Sequence, residues 1–137
     1  MEFYLSSERL WHDINQSFSG RGGAYIVRSR DAKNKDLYKG IHRLLGKDET
    51  GVLYIGKASS FLNRVIELSK SLAPDYRAQS HFCGVRYKAS SEIQMAFPYK
   101  LLVVELLESD DPVREESKLL REYEKLFGEI PPLNRMG

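Results

Sequence analysis

The amino-acid sequence predicts a mixed α/β domain in which a small sheet is flanked by helices. Its 137 residues, of which 42% are hydrophobic, suffice for one compact core and leave little room for a second. Short apolar runs typical of strands alternate with longer segments whose apolar residues recur at helical spacing. We therefore expect one domain over residues 1–137, with residues 1–20 as a helical N-terminal extension.

The first half of the chain is expected to form one helix followed by two strands. Residues 6–18 carry apolar side chains at helical spacing behind a serine N-cap, Ser6 or Ser7. A glycine-rich turn ends this helix, and residues 24–27 have the composition of a strand. The polar stretch that follows is expected to be a loop or hairpin arm, and residues 52–56 form a second short strand.

The next segments are predicted to be a helix, an irregular region and a strong strand. Ser59 or Ser60 caps a helix that runs to about residue 72, where a proline two residues later prevents its continuation. Residues 75–98 show the weakest pattern and are expected to form a further hairpin. Residues 101–107 are a nearly continuous apolar run, which favours a buried strand.

The last helix contains a carboxylate where an apolar residue is expected. Asp111 and Pro112 form its start, and Gly128 stops it. At about 100° per residue, Glu116 lies near the centre of the apolar stripe, whereas Glu115 lies on its flank. A core-facing carboxylate needs a partner, which is a buried arginine, a proton or a divalent cation. The stripe consists of Leu119, Leu120, Tyr123, Leu126 and Phe127.

Charge is unevenly distributed although the net charge is only +2. Residues 21–64 hold ten Lys and Arg against four Asp and Glu, a net of +6. Residues 105–130 hold four against nine, a net of −5. A basic segment beside an acidic one suits phosphate attraction together with cation binding, but two ordinary solvated surfaces of opposite sign explain the same pattern.

The composition also bears on the compartment. No run approaches the roughly 18 apolar residues of a membrane span, and the N-terminus lacks the pattern of a secretory signal. One cysteine, Cys83, excludes a disulfide framework. We expect a cytoplasmic, intracellular protein with no membrane partner.

Three further groups are candidates for chemistry, and each has an ordinary structural explanation. Lys57 and Arg64 flank a strand-to-helix junction of the kind that holds a phosphate, although such junctions often carry basic residues. Tyr25, on the first strand, is more typical of a core residue than of a catalyst. Asn134 follows two prolines that fix the backbone and aim its side chain.

In their order along the chain, these residues resemble the motifs of the GIY-YIG nuclease family. The first motif is Gly23-Ala24-Tyr25, with alanine in place of the usual isoleucine, and the second is Tyr54-Ile55-Gly56. The family's arginine, helical glutamate and closing asparagine match Arg64, Glu116 and Asn134. The resemblance spans residues 23–134.

The resemblance implies a small antiparallel, three-stranded sheet flanked by helices and the cleavage of DNA phosphodiester bonds. It implies that Glu116 holds a single Mg²⁺ or Mn²⁺, which neutralises the scissile phosphate and stabilises the leaving oxygen. Tyr25 is the implied general base, helped by the positive charge of Lys57 and Arg64. Lys57 also matches a lysine in the nuclease module of bacterial excision-repair enzymes.

The remaining implied roles are supporting. Tyr54 orients water or phosphate, and Asn134 fixes the geometry around them. Two positions are considered for His81, one near the site and one in a loop or at the surface, and the second is the expectation. DNA is the expected partner, with specificity supplied by loops, a homodimer or a partner protein. Two alternatives stay open: a non-catalytic module that binds nucleic acid or inhibits a nuclease, and a structural adaptor whose tyrosine and glutamate belong to the core.

Overall fold

A four-stranded antiparallel sheet organises the chain in the computed structural model, which describes residues 1–75 and 81–135. The fold is α+β. The sheet strands are β1 (Glu2–Tyr4), β2 (Gly23–Ser29), β5 (Val52–Ala58) and β6 (Leu102–Glu108), in the order β1-β6-β2-β5. A separate hairpin is formed by β3 (Ile41–Arg43) and β4 (Gly46–Asp48).

The expectation of three strands in this sheet is wrong, because β1 adds a fourth. Glu2 pairs with Glu105 and Tyr4 with Val103, so β1 covers the outer edge of β6. A strand of three residues is too short to show an alternating pattern, and its pairing partner decides its conformation. Residues 1–20 therefore contribute a strand as well as a helix.

Five helices lie in the described part of the chain: α1 (Leu10–Phe18), α2 (Phe61–Leu72), α3 (Phe82–Lys88), α4 (Ser91–Ala96) and α5 (Pro112–Phe127). The predictions for α2 and α5 are confirmed. Ser60 and Asp111 are their N-caps and accept hydrogen bonds from the Asn63 and Arg114 amides. Gly128 ends α5 with φ +79°, a conformation that favours glycine. None of these described helices combines the length and apolar composition that a bilayer span requires.

Helix α1 begins later than its sequence suggests. The Ser7 hydroxyl accepts a hydrogen bond from the Arg9 amide at 3.2 Å, within a turn that precedes the helix. The helix itself starts at Leu10 without a side-chain cap. The serines therefore stabilise a local turn, which is the competing use of such side chains.

The hairpin expected over residues 75–98 is wrong, because α3 and α4 occupy most of that range; residues 76–80 lie outside the described residues. Cys83 and Tyr87, four positions apart, are both buried on one face of α3. Ser90 caps α4 by accepting the Ile93 amide at 3.3 Å. Packing of α3 against α2 decides this conformation where local pattern does not.

The sheet has a core on each face. Alternate residues of β2 point to opposite sides, so Tyr25 joins the large core with helices α1, α2 and α3. Ile26 joins a smaller core that contains Ile55 and Tyr123 of α5. Leu126, predicted on the apolar stripe of α5, is instead 67% exposed. β5 lies at one edge of the sheet and β1 at the other. Side chains from both faces of the sheet can therefore come together along the free edge of β5.

Candidate active site

A cleft of about 660 Å³ lies beside β5, between the first turns of α2 and α5. Tyr25 and Tyr54 enter from one side of the sheet, and Lys57 and Glu116 from the other. Five of the six residues predicted from the sequence as site residues therefore line one cleft. Its lining consists of Tyr25, Tyr54, Lys57, Ala58, Ser59, Ser60, Asn63, Arg64, Glu67, Pro112, Val113 and Glu116.

Glycine places Tyr25 at this cleft. Tyr25 pairs directly with Gly56 across β2 and β5, and a Cβ on Gly56 would overlap the Tyr25 ring and hydroxyl. Gly23, at φ +153°, approaches the backbone of Leu107 so closely that a Cβ there would collide with its carbonyl. Steric crowding therefore explains the glycine of each sequence motif, since a residue with a Cβ does not fit at either position.

Tyr25 has no exposed surface and hydrogen-bonds to His81, with 3.1 Å between Tyr25 Oη and His81 Nε2. Burial raises the pKa of Tyr25 well above its ordinary range, and the neighbouring Tyr54 raises it further. The Arg64 guanidinium acts in the opposite direction through its charge and hydrogen bonding. Because burial is the largest contribution, Tyr25 is a neutral phenol at pH 7.

Tyr54 lies beside this pair on the same side of the sheet. Its ring centroid is 6.0 Å from that of Tyr25 and 5.7 Å from that of His81. Burial raises the pKa of Tyr54 to about 12, and the Cys83 thiol and the Glu116 carboxylate act in the same direction. Tyr54 is therefore a hydrogen-bond donor at the cleft and stays protonated at physiological pH.

The expectation of a loop or surface position for His81 is wrong. His81 is 1% exposed at the residue before α3, and its ring is buried between the two tyrosines and the core. Burial lowers the pKa of His81 to about 4, and the charge of Arg64 contributes in the same direction. Its sequence neighbours give no periodic signal, so only the packing of α3 against α2 reveals this position.

Glu116 lies on the inward side of α5 as predicted, with 21% of its side chain exposed. Its partner in the structure is a lysine, which was not among the three candidates that the sequence suggested: Glu116 Oε1 is 3.9 Å from Lys57 Nζ. Burial raises the pKa of Glu116, against the opposing charges of Lys57 and Arg64. An ion pair that is this long and half open to solvent contributes little stability, so it yields readily to another ligand.

Arg64 occupies the first turns of α2, where the helix N-terminus faces the cleft. Its Nη1 is 3.5 Å from Glu67 Oε2 one turn later, and both side chains are partly exposed. The guanidinium provides donors suited to a phosphate, whereas the Phe61 and Asn63 amides of this turn already donate to Arg21 and Ser60.

Asn134 is the one predicted site residue that the structure places outside the cleft lining. It is buried, and its side chain both accepts from the Ile55 amide and donates to the Ile55 carbonyl, each at 2.9 Å. The adjacent Leu133 amide donates to the Leu53 carbonyl at 2.9 Å. Leu133 and Asn134 thereby cover the free edge of β5 next to Tyr54 and Gly56. Asn134 therefore affects the cleft by holding the β5 backbone and not by lining the cleft.

Two carboxylates line this cleft, Glu116 and Glu67, and Glu67 is paired with Arg64 at 3.5 Å. No group of three or more His, Cys, Asp or Glu side chains with metal-binding geometry lies within residues 1–75 and 81–135. Mg²⁺ is nevertheless often held by one or two carboxylates, with water and substrate phosphates completing its shell. Glu116, half-buried with a readily displaced partner in a roomy cleft, fits that kind of site.

Most of the basic residues that make the charge of the sequence uneven form ion pairs in the structure. Seven of the ten basic residues between positions 21 and 64 lie within 4.0 Å of a carboxylate oxygen. Four of these pairs join the basic segment to the acidic one: Arg21 with Glu108, Arg28 with Glu105, Arg43 with Glu129 and Lys57 with Glu116. Most of the basic segment is therefore already paired with carboxylates, which favours the ordinary explanation of its charge over a broad basic surface.

No family model matches this chain, and no curated protein or solved structure matches it. The functional argument therefore rests on the residues in the cleft and on their arrangement.

Proposed function

We propose that this protein is a GIY-YIG-like endonuclease that cleaves DNA phosphodiester bonds with the help of Mg²⁺ or Mn²⁺. The observation that carries the proposal is the convergence of Tyr25, Tyr54, Lys57, Arg64 and Glu116 on one cleft. Tyr25 lies on β2, and the other four residues lie on β5, α2 and α5. Long stretches of chain separate the first motif, the second motif and the helical glutamate. A core-only role does not require two tyrosines, two cations and a carboxylate to line one cleft.

The cleft residues divide the work of binding and proton transfer. Arg64 binds the scissile phosphate, because a planar guanidinium donates two parallel hydrogen bonds. Lys57 adds positive charge from the opposite side of β5. Tyr54 donates a hydrogen bond to phosphate or water, and Tyr25 takes the proton of the attacking water.

Glu116 would hold the divalent cation, whose chemistry when bound is to neutralise the phosphate and stabilise the leaving oxygen. With Glu116 so occupied, the Lys57 ammonium would be free to face the phosphate. The protein would thus contribute the Glu116 carboxylate to the metal, in a cleft that already carries hydrogen-bond donors for a phosphate.

The test is nicking of supercoiled plasmid with Mg²⁺ or Mn²⁺ and its loss in EDTA. Glu116→Gln should abolish nicking and leave folding intact, whereas the matched control Glu115→Gln, outside the cleft lining, should nick normally. Tyr25→Phe keeps the ring but removes the hydroxyl, so the rate should fall by about 10²-fold or more. Equal rates for the two glutamate variants, or Tyr25→Phe at wild-type speed, would contradict the assigned roles.

A non-cutting nucleic-acid-binding module is the second candidate, favoured by the Lys57–Glu116 pair that already neutralises the carboxylate. Binding through the two cleft cations predicts a log–log salt slope of about −2 on duplex DNA. DNA binding with that slope and no nicking in either metal would support this candidate. Specificity supplied by a homodimer or a partner protein stays a prediction for both.

A further inference from the structure

We propose that His81 accepts the phenolic proton of Tyr25 as Tyr25 removes a proton from the attacking water, so that the two side chains form one proton-transfer unit. This inference rests on the proposed nuclease function and deepens it. His81 does not line the cleft, and it acts on the reaction only through Tyr25.

The need for an acceptor follows from the state of Tyr25. Its hydroxyl is buried and protonated at pH 7, because burial raises its pKa. A protonated phenol removes a proton from water only when it releases its own. The receiving atom must lie within hydrogen-bond reach, and His81 Nε2 lies 3.1 Å from the phenolic oxygen.

Within residues 1–75 and 81–135, four groups act on the Tyr25 hydroxyl: Tyr54 of β5, Arg64 of α2, Cys83 of α3 and His81 before α3. Arg64 has only donors, so the Tyr25 oxygen accepts from it and its own proton points elsewhere. Burial raises the pKa of both Tyr54 and Cys83, which keeps them protonated at pH 7. His81 is the member of this set that is neutral at that pH with one unprotonated ring nitrogen. In the proposed unit that nitrogen is Nε2, which faces Tyr25, and the proton is on Nδ1, which is buried without a hydrogen-bond partner among the described residues.

The proposed step balances in protons and charge. The oxygen of water bonds to phosphorus as the phosphorus–oxygen ester bond breaks, and the leaving oxygen takes a proton from solvent. The water proton passes to Tyr25 Oη, and the Tyr25 proton passes to His81 Nε2. Burial is the main factor that disfavours the imidazolium, and the anionic phosphate bound beside Arg64 offsets the second factor, the guanidinium charge. His81 then returns its proton through Tyr25 to solvent.

The first experiment separates proton acceptance from packing. His81→Gln keeps a hydrogen-bond acceptor for Tyr25 but has no basic nitrogen, so nicking should slow by about 10²-fold or more at wild-type DNA affinity. The control His42→Gln changes an exposed histidine on β3 and should nick at the wild-type rate. Nicking by His81→Gln within about threefold of an active wild type would overturn this inference and leave the nuclease proposal standing.

A double variant tests whether the two residues act in one step. Tyr25→Phe combined with His81→Gln should nick no more slowly than Tyr25→Phe alone, because both changes disable the same transfer. A double variant slowed by the product of the two single effects would refute the unit. Circular dichroism melts of all three variants establish that the compared proteins are folded.

A measurement on the wild type needs no variant. Nitrogen NMR of histidine-labelled protein should show a neutral His81 ring at pH 7. An imidazolium at that pH would overturn the inference, because a His81 ring that is protonated at both nitrogens cannot accept the Tyr25 proton. A wild type that binds DNA but never nicks it would instead refute the proposed function.

Discussion

Asn134 is expected to stabilise β5 by a backbone clamp, and replacing it with alanine tests this. Its side chain satisfies both the amide and the carbonyl of Ile55, each at 2.9 Å in a buried setting. Alanine removes both partners without adding a group of its own. The change therefore measures the cost of leaving two buried backbone groups unpaired.

The magnitude follows from those two groups. Each buried group left without a partner costs about 1–3 kcal/mol, so Asn134→Ala should lower the free energy of unfolding by roughly 2–6 kcal/mol. That is a large part of the usual total of about 5–15 kcal/mol. A loss near the middle of the range lowers the melting temperature by roughly 10 °C or more for a domain of this size.

Asn134→Asp gives a pH-dependent companion test. An aspartate still accepts from the Ile55 amide, but its charge faces the Ile55 carbonyl, which raises its pKa in the folded state. The variant should be strongly destabilised at pH 7. It should recover as the pH falls through that raised pKa, because a protonated carboxyl donates to the carbonyl as the amide did.

Urea unfolding followed by circular dichroism measures these effects, with the exposed Asn63→Ala as the control, expected within about 0.5 kcal/mol of wild type. The clamp would be refuted if Asn134→Ala matched that control, or if Asn134→Asp were as stable as wild type at pH 7. Loss of nicking in proportion to loss of folded protein would show that Asn134 acts through β5 and not on the substrate.

Three further predictions concern other positions. Gly56→Ala should prevent stable folding or displace the Tyr25 ring, since a Cβ there overlaps that ring; a melt unchanged from wild type contradicts this. Asp48 is buried, which alone would raise its pKa, but hydrogen bonds led by Thr50 outweigh burial and lower it. Its stabilisation is therefore present above about pH 4 and lost as the pH falls, so Asp48→Asn should flatten the acid limb of a stability–pH curve. Arg64→Lys keeps the charge but loses the planar fork, and should impair nicking more than DNA binding; equal losses in both assays argue against a phosphate clamp.

The predictions that succeeded depend on neighbours in the sequence. The caps at Ser60 and Asp111 and the stop at Gly128 are visible because a helix end is set by residues within one turn. The periodicity of α5 likewise placed Glu116 on the inward side. β2, β5 and β6 were recognisable as strands because their apolar runs are long enough to stand out.

The predictions that failed concern segments whose conformation is set by distant contacts. β1 forms because β6 offers a free edge, and α3 forms where Cys83 and Tyr87 pack into the core. In each case the segment is short, and its local preference is too weak to outweigh that packing.

Local pattern was enough to select the candidate site side chains: two motif tyrosines, two cations, one inward carboxylate and the glycines between them. Which of these side chains meet became visible only in the folded chain. It placed Lys57 against Glu116, moved Asn134 from the cleft to the backbone of Ile55, and brought His81 to the hydroxyl of Tyr25 across 56 positions of chain. The physical reason is that helix ends and strand faces are local properties, whereas hydrogen bonds between layers depend on how the whole chain packs.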